Sequence, residues 1–190
     1  MALNDTLVVF SDGNPIDVLR SYPVLDKPAT RLLAERLFPG AELEEIGDEL
    51  LVDALDPPDG VLTVGSFPGL DIVCSWRLTP RRPSELDPAV LAATERRNVY
   101  LHAAHGDAEW CSYGVWRDGA RVRALSVCVD PAVTEDEGDP LPFEARERPA
   151  DLTWASMQAL FGFACDDHER LDEVDPELIP VVVYRVSTAS

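Results

Sequence analysis

Basic residues are scarce in this chain. Its 190 residues include 16 lysines and arginines, of which Lys27 is the one lysine, against 35 aspartates and glutamates, so the formal net charge is −19 at pH 7. A field of this sign repels phosphate backbones and anionic lipid surfaces. We therefore expect no nucleic-acid partner and no membrane partner. A basic protein is the partner that the charge favours.

Long apolar runs and closely spaced cysteines are also missing. No segment approaches the ~20 apolar residues of a membrane-spanning helix, and residues 1–5 lack the basic region of a secretory signal. The four cysteines are far apart and form no Cys-x-x-Cys pair; they are Cys74, Cys111, Cys128 and Cys165. We therefore expect reduced, mostly buried thiols in a cytoplasmic protein.

Short apolar runs separated by turns predict an α+β fold. The runs predict strands near residues 6–10, 42–46, 50–54, 61–65, 70–76, 98–104 and 179–184, and helices near residues 26–38, 88–97 and 152–165. Their order predicts a single domain over residues 1–190, with a mixed, mostly antiparallel sheet and helices packed chiefly on one face. An acidic segment, residues 166–178, precedes the final strand.

The strongest local signal is a β-hairpin. Asp118-Gly119 separates two strand-like runs, residues 110–117 and 120–129, and Asp-Gly favours a two-residue hairpin turn. A regular register places two tryptophans and two arginines on one face; they are Trp110, Trp116, Arg121 and Arg123. These residue types anchor partners, so the face is a candidate binding surface. The alternative is cross-strand packing with cation–π contacts, and a three-residue loop would change the register.

Catalytic motifs are absent, and three residues near strand ends remain as candidates for a pocket. They are Asp12, His102 and Glu144. Glu144 lies in an apolar strip, where it can also form a structural pair with Arg123. His102 and His105, with Asp107 and Glu109, are a weak metal pattern because residues three apart on a strand point to opposite faces. The acidic loop 134–139 does not have the calcium spacing of an EF-hand. We expect no metal and no cofactor.

Several short motifs, taken in order, resemble a family of actinobacterial proteins known only as a domain of unknown function. The motifs are Val9–Gly13, Leu37–Gly40, Phe67–Asp71, Pro83–Leu86, Val99–His102, Trp116–Gly119, Gly138–Glu144 and Leu160–Phe163. The arginine bias of the chain, typical of a GC-rich genome, agrees with such a source. The resemblance implies no activity and assigns no role to any residue.

Two functions remain open from the sequence. The first is a non-catalytic binding or interaction module with an acidic surface, monomeric or homodimeric, that meets a basic protein. The alternative is a small-molecule enzyme, hydrolase-like, with a pocket formed at strand ends. Convergence of Asp12, His102 and Glu144 in one cleft would favour the enzyme.

Overall fold

Nine antiparallel strands form one sheet in this protein. The computed structural model describes residues 4–96, 98–106, 110–128, 135–146, 152–164 and 173–188. The strands are β1 (Asn4–Ser11), β2 (Ala41–Leu50), β3 (Val61–Phe67), β4 (Leu70–Cys74), β5 (Asn98–His105), β6 (Trp110–Arg117), β7 (Ala120–Val127), β8 (Glu135–Gly138) and β9 (Pro180–Thr188). Their order across the sheet is β2-β9-β3-β4-β1-β5-β6-β7-β8. β1 therefore lies at the centre, and β2 and β8 are the edges.

The helices are short. They are α1 (Pro15–Leu19), α2 (Lys27–Leu37), α3 (Leu51–Ala54), α4 (Pro88–Leu91) and α5 (Leu152–Phe161). Local chemistry sets their starts: Asn14 accepts a hydrogen bond from the Ile16 amide at α1, and Asp26 accepts one from the Ala29 amide at α2. The helix predicted over residues 88–97 is shorter in the structure, where α4 ends at Leu91. The strand predicted at residues 50–54 is wrong, because α3 occupies that position.

The predicted fold class is wrong. The protein is mostly β, one antiparallel sheet with few short helices, rather than an α+β sheet with helices chiefly on one face. Side chains of β1 alternate between two buried clusters, with Leu7 and Val9 in the first and Val8 and Phe10 in the second. Residues of α1, α3 and α5 cover the first face, and residues of α2 and α4 cover the second. A continuous apolar run such as that of β1 is the sign of a strand buried on both sides.

The predicted hairpin is confirmed, with one irregularity. Asp118 and Gly119 both have positive φ, 49° and 77°, as a type I′ turn requires. Trp116 pairs with Arg121 as expected, but a bulge then shifts the register, so that Arg123 pairs with Val115 instead of Gly114. One extra residue on β7 turns every later side chain to the other face.

Candidate functional site

His102 lies at the centre of a buried polar cluster on the first face of the sheet. Its Nε2 is 2.7 Å from Asp5 Oδ1, and its Nδ1 is 3.0 Å from Ser156 Oγ on α5. The side chains of His102 and Asp5 are 0% and 5% exposed. Strand pairing brings the two together, because Leu7 of β1 lies opposite His102 and Asp5 is two residues away on the same face.

The hydrogen bond that Ser156 donates within α5 sets the direction of its contact with His102. Ser156 Oγ lies 2.7 Å from the Leu152 carbonyl oxygen, and its single hydrogen is donated to this turn of α5. Oγ must then accept a hydrogen from His102 Nδ1. The Nε2 atom of His102 lies 2.7 Å from Asp5 Oδ1, a short contact that is not aligned as a hydrogen bond.

Histidine, aspartate and serine also make up the catalytic triad of serine hydrolases, but the geometry here does not suit catalysis. The Ser156 hydroxyl donates to its own helix and is buried, so no substrate carbonyl reaches it. Neighbouring Cys111 is buried as well, and burial raises the pKa of its thiol to about 12. At neutral pH this thiol is protonated and a poor nucleophile. The cluster therefore stabilises the packing of α5 on the sheet.

Glu144 pairs with Arg123, as the sequence suggested. Arg123 Nε and Nη2 donate to the two carboxylate oxygens of Glu144 at 2.8 and 2.7 Å. Nη1 donates to Asp136 at 2.6 Å and to the Glu137 and Gly138 carbonyl oxygens. Burial lowers the pKa of Arg123, but Glu144 and Asp136 raise it further, so its net pKa lies above its ordinary value. All three guanidinium nitrogens of Arg123 thus have hydrogen-bond acceptors, and these bonds hold β8 and the following loop against β7.

Asp12 belongs to a third network. Arg96 Nη1 donates to Asp12 at 2.6 Å, while its Nε lies 3.6 Å from buried Asp71. Ser66 Oγ donates to Asp71 at 2.5 Å. Burial raises the pKa of Asp71, and the Ser66 hydrogen bond and Arg96 only partly offset this. Each predicted catalytic residue thus has its own partners, and Asp12, His102 and Glu144 do not form one site.

The four hairpin residues predicted to form a binding face do not share one exposed face. Trp110, Trp116 and Arg123 are buried, with exposures of 4%, 3% and 2%. Because of the bulge, Arg123 contacts the first face, whereas Trp116 packs in the cluster on the second. Arg121 alone of the four is partly exposed, and it pairs with Glu137. Their role in binding stays a prediction, and their burial leaves little of them for a partner to reach.

A cleft of about 620 Å³ opens on the first face at the end of the sheet where β1 ends, β5 begins and β6 ends. Ten of the described residues line it: Gly13, Asn14, Asn98, Tyr100, Arg117, Leu141, Pro142, Phe143, Ala159 and Leu160. Its volume lies within the ~300–1,000 Å³ typical of small-molecule sites. We call this space the strand-end cleft.

Three polar side chains of the strand-end cleft come from the sheet, and a fourth, that of Asn14, belongs to the start of α1. Asn98 and Tyr100 are two residues apart on β5, so they share the first face, and Arg117 ends β6 beside them. Burial raises the pKa of the Tyr100 hydroxyl, and Arg117 lowers it by a smaller amount. At neutral pH this hydroxyl is therefore an intact donor. Leu160 of α5 and Phe143 of the loop after β8 form the opposite wall.

The sequence pointed to this end of the sheet but not to these side chains. A pocket at strand ends was the expectation for the enzyme alternative, and the lining residues Gly13, Tyr100 and Phe143 lie within two residues of its three candidates. The alternation of β5 placed Tyr100 on the same face as His102, which was a usable signal. No sequence pattern indicated that Arg117, at a hairpin end, would face a cleft.

No metal-binding group emerges from the described residues. Within the ranges given above, no three side chains among His, Cys, Asp and Glu gather as metal ligands. His102 and His105 fall on opposite faces of β5, as the strand period predicted; Asp107, Glu109 and Thr134 lie outside the described residues, as do residues 166–172 of the acidic segment. Glu135, Asp136 and Glu137 of the acidic loop bind Ser84, Arg123 and Arg121. In the same ranges, every helix is too short or too polar to cross a membrane.

These features define a protein with one antiparallel sheet, helices on both faces, and a cleft at its strand ends. A family model described as a family of unknown function (DUF6928) matches residues 5–146, and the chain belongs to this family. The match includes β1 to β8 and all lining residues of the strand-end cleft except the two on α5. No curated protein and no solved structure gives a match. The actinobacterial source stays a prediction from the resemblance.

Proposed function

We propose that this protein is a non-catalytic binding module that holds a small ligand in the strand-end cleft. The observation that carries the proposal is the cleft itself: about 620 Å³, with polar groups from β5 and β6 facing an apolar wall from α5 and the loop at residues 141–143. Ligand sites combine a mainly apolar lining with a few placed polar groups in this way. Rigid strands hold Asn98, Tyr100 and Arg117, so the polar groups are set before a ligand arrives.

The residues that could have supported catalysis support a binding role instead. Asp12, His102 and Glu144 are each held by other side chains outside the cleft. The described lining residues include no histidine, carboxylate, cysteine or serine. Among them, Tyr100 could take part in acid–base chemistry, but burial raises the pKa of its hydroxyl, which therefore stays protonated at neutral pH. A hydrolase-like enzyme remains the alternative, and it would need a group other than these three.

A cleft-blocking variant tests the proposal. Ala159 is an exposed residue of α5 that lines the cleft, and Ala159→Trp would fill part of the space. We expect a library of small fragments, screened by amide NMR, to shift resonances of residues 98–100 and 117 in the natural protein. Those shifts should vanish in the Ala159→Trp variant.

The matched control is Ala89→Trp, an equal substitution at an exposed position of α4 on the opposite face. This variant should bind the same fragments as the natural protein. If the fragments bind both variants equally, or if no fragment shifts the cleft resonances, the cleft is not a ligand site and the proposal fails.

Acidic edge strands favour a second candidate function, the binding of a basic protein. β2 carries Glu42, Glu44, Glu45, Asp48 and Glu49, all exposed, at one edge of the sheet. Such a surface steers a cationic partner at long range. A polyarginine peptide titrated at low salt should shift the amide resonances of β2, and Glu42→Gln with Glu45→Gln should weaken this binding. Equal shifts spread over the whole surface would indicate non-specific attraction only.

The remaining parts of the proposal concern the cellular location and the oligomeric state of the protein. We propose a cytoplasmic protein, because Cys74, Cys111 and Cys128 are thiols, as is usual in a reducing compartment. We also propose a monomer or a homodimer. Sedimentation velocity at several protein concentrations distinguishes the two.

A further inference from the structure

The strand-end cleft differs in charge from the rest of the protein. The chain has 35 carboxylates and 16 lysines and arginines. Among the ten described lining residues, Arg117 is the one with a charged side chain, and none is acidic. The charge of the described lining is therefore positive, opposite in sign to the net charge of the molecule.

Arg117 differs from the other arginines near it. Arg121, Arg123 and Arg96 each form ion pairs at 2.5–2.6 Å with carboxylates. Arg117 ends β6 in an exposed position and lines the strand-end cleft. Its charge acts on the Tyr100 hydroxyl, whose pKa it lowers. Arg117 and Tyr100 both line the strand-end cleft.

Three neighbouring groups can donate hydrogen bonds to one anion. The guanidinium of Arg117 offers a planar pair of N–H donors that matches a carboxylate. The Tyr100 hydroxyl and the Asn98 amide stand beside it on the first face of β5. All three lie at the sheet end of the cleft. The far wall, built from Leu141, Phe143 and Leu160, offers only apolar surface from its side chains.

Phe143 is held in place by the sheet below it. Its ring lies 5.4 Å from the ring of Tyr113, tilted by 53°. The adjacent Glu144 is fixed by the two hydrogen bonds from Arg123. The apolar wall is therefore positioned by a buried ion pair, and a flat or compact apolar group can pack against it without reorganising the loop.

We propose that the strand-end cleft binds a small organic monocarboxylate, with its carboxylate on Arg117, Tyr100 and Asn98 and its apolar body against Phe143 and Leu160. This inference rests on the proposed function and names its ligand class. A carboxylate fits better than a phosphate ester, because one arginine balances one negative charge. A dianion would leave a charge unpaired in the field of a chain with net charge −19.

Three probes with the same body and different charge test the ligand class. They are 3-phenylpropionate, its neutral amide and 3-phenylpropylamine, titrated into the full-length protein with amide NMR as the readout. We expect the carboxylate to shift residues 98, 100 and 117 and to bind at least about tenfold more tightly than the amide, because a charge-assisted hydrogen bond is about twice as strong as a neutral one. The amine should bind least. Phenyl phosphate serves as the dianion and should bind more weakly than 3-phenylpropionate.

Two variants locate the carboxylate. Arg117→Gln should weaken binding of 3-phenylpropionate about tenfold or more and leave binding of the amide unchanged within about twofold. Tyr100→Phe keeps the ring and should weaken the binding of 3-phenylpropionate by a few-fold, without weakening the binding of the amide. The matched control is Arg185→Gln, an equal change at an exposed arginine of β9 paired with Glu44, which should alter neither affinity.

The outcomes separate this inference from the proposed function. If the amide or the amine binds the cleft as tightly as the carboxylate, or if Arg117→Gln has no effect, the cleft is a ligand site but not for a carboxylate. If phenyl phosphate binds more tightly than 3-phenylpropionate, the charge assignment is wrong. If no probe and no library fragment shifts the cleft resonances, both proposals fail.

Discussion

Buried charged residues of this protein act in pairs that lie far apart in the chain. Arg123 and Glu144 are 21 residues apart, and Asp5 and His102 are 97 apart, yet each pair is almost fully buried. A charge removed from water is tolerated only when a partner and hydrogen bonds compensate it. The Arg123–Glu144 pair was predictable because a carboxylate in an apolar strip needs a cation. The partners of His102 were not, since strand order brings Asp5 to it and helix packing brings Ser156.

Removing His102 should destabilise the protein strongly. His102→Ala removes the buried side chain that lies 2.7 Å from buried Asp5, and breaking a buried pair in this way costs about 3–5 kcal/mol. Urea unfolding monitored by circular dichroism measures the loss. His105→Ala is the control, because His105 is only half-buried and packs against Trp76; its cost should be about 1 kcal/mol or less. Equal costs for the two variants would show that the buried contact between Asp5 and His102 does not stabilise the fold.

Asp71 should make the stability depend on pH in an unusual direction. Its folded pKa is raised above the ordinary 3.8, chiefly by burial. Between those two pKa values the folded state binds more protons than the unfolded state, so the contribution of Asp71 falls as pH rises through that window and is smallest at neutral pH. Asp71→Asn removes this dependence. The free energy of unfolding of the natural protein should therefore increase relative to that of the variant as pH falls from about 7 to about 4.

Urea titrations of both proteins across this pH range provide the measurement. If the difference moves in the other direction, then Arg96 and Ser66 stabilise the ionised carboxylate more than burial destabilises it. Aggregation of the acidic protein at low pH is monitored by light scattering, and only reversible titrations are used.

At the scale of elements, strands were more predictable than helices and pairing. Apolar runs indicated β1, β3, β4 and β5, and Asp-Gly indicated the hairpin of β6 and β7. The second half of β2 was missed because Glu44, Glu45, Asp48 and Glu49 face solvent on an edge strand and leave no apolar alternation. The bulge in β7 also had no local signal. Gly138 fits closely beside it, with positive φ and space so limited that a Cβ would lie 2.1 Å from the Val122 oxygen.

The acidic edge strands should prevent sheet-to-sheet association. β2 and β8 are the two edges, and exposed edge strands pair with other chains unless charge keeps them apart. Glu42→Gln, Glu45→Gln and Glu49→Gln together should promote dimers or larger species. Size-exclusion chromatography with light scattering detects these species.

A charge-matched variant serves as the control for this prediction. Asp53→Asn, Asp59→Asn and Glu85→Gln also remove three charges, from exposed positions outside the strands. This variant should keep the association state of the natural protein. If both variants associate equally, net charge rather than the edge itself controls solubility.

At the scale of the whole molecule, one sheet buried on both faces places two clusters of side chains around the central strand β1. The sequence suggested helices on one face because α1, α3 and α4 are too short to give a clear apolar period. Their single turns nevertheless contribute buried residues, such as Leu19, Leu51 and Val90. The cleft arises where this covering ends, between α5 and the ends of β5 and β6.

Salt should stabilise this protein. A net charge of −19 on one domain-sized chain causes self-repulsion in the compact state. Added NaCl shortens the Debye length from ~30 Å at about 0.01 M to ~3 Å at about 1 M, and exposed ion pairs such as Lys27–Asp48 contribute little that salt could remove. Differential scanning calorimetry should show a rising Tm across this range. The triple glutamine variant of β2 should show a shallower rise, and a falling Tm would mean that ion pairs outweigh the repulsion.

The sequence alone determined the strongly negative charge, the strand-forming runs and the hairpin turn, because each depends on composition or on residues near one another. It also suggested that Glu144 pairs with Arg123, because a carboxylate in an apolar strip needs a cation, but the contact itself joins residues 21 apart. Tertiary structure decided the strand order, the shifted register of β7, the partners of His102 and the cleft around Arg117. These depend on which distant segments meet, and a contact between residues far apart in the chain leaves no periodic signal in either segment.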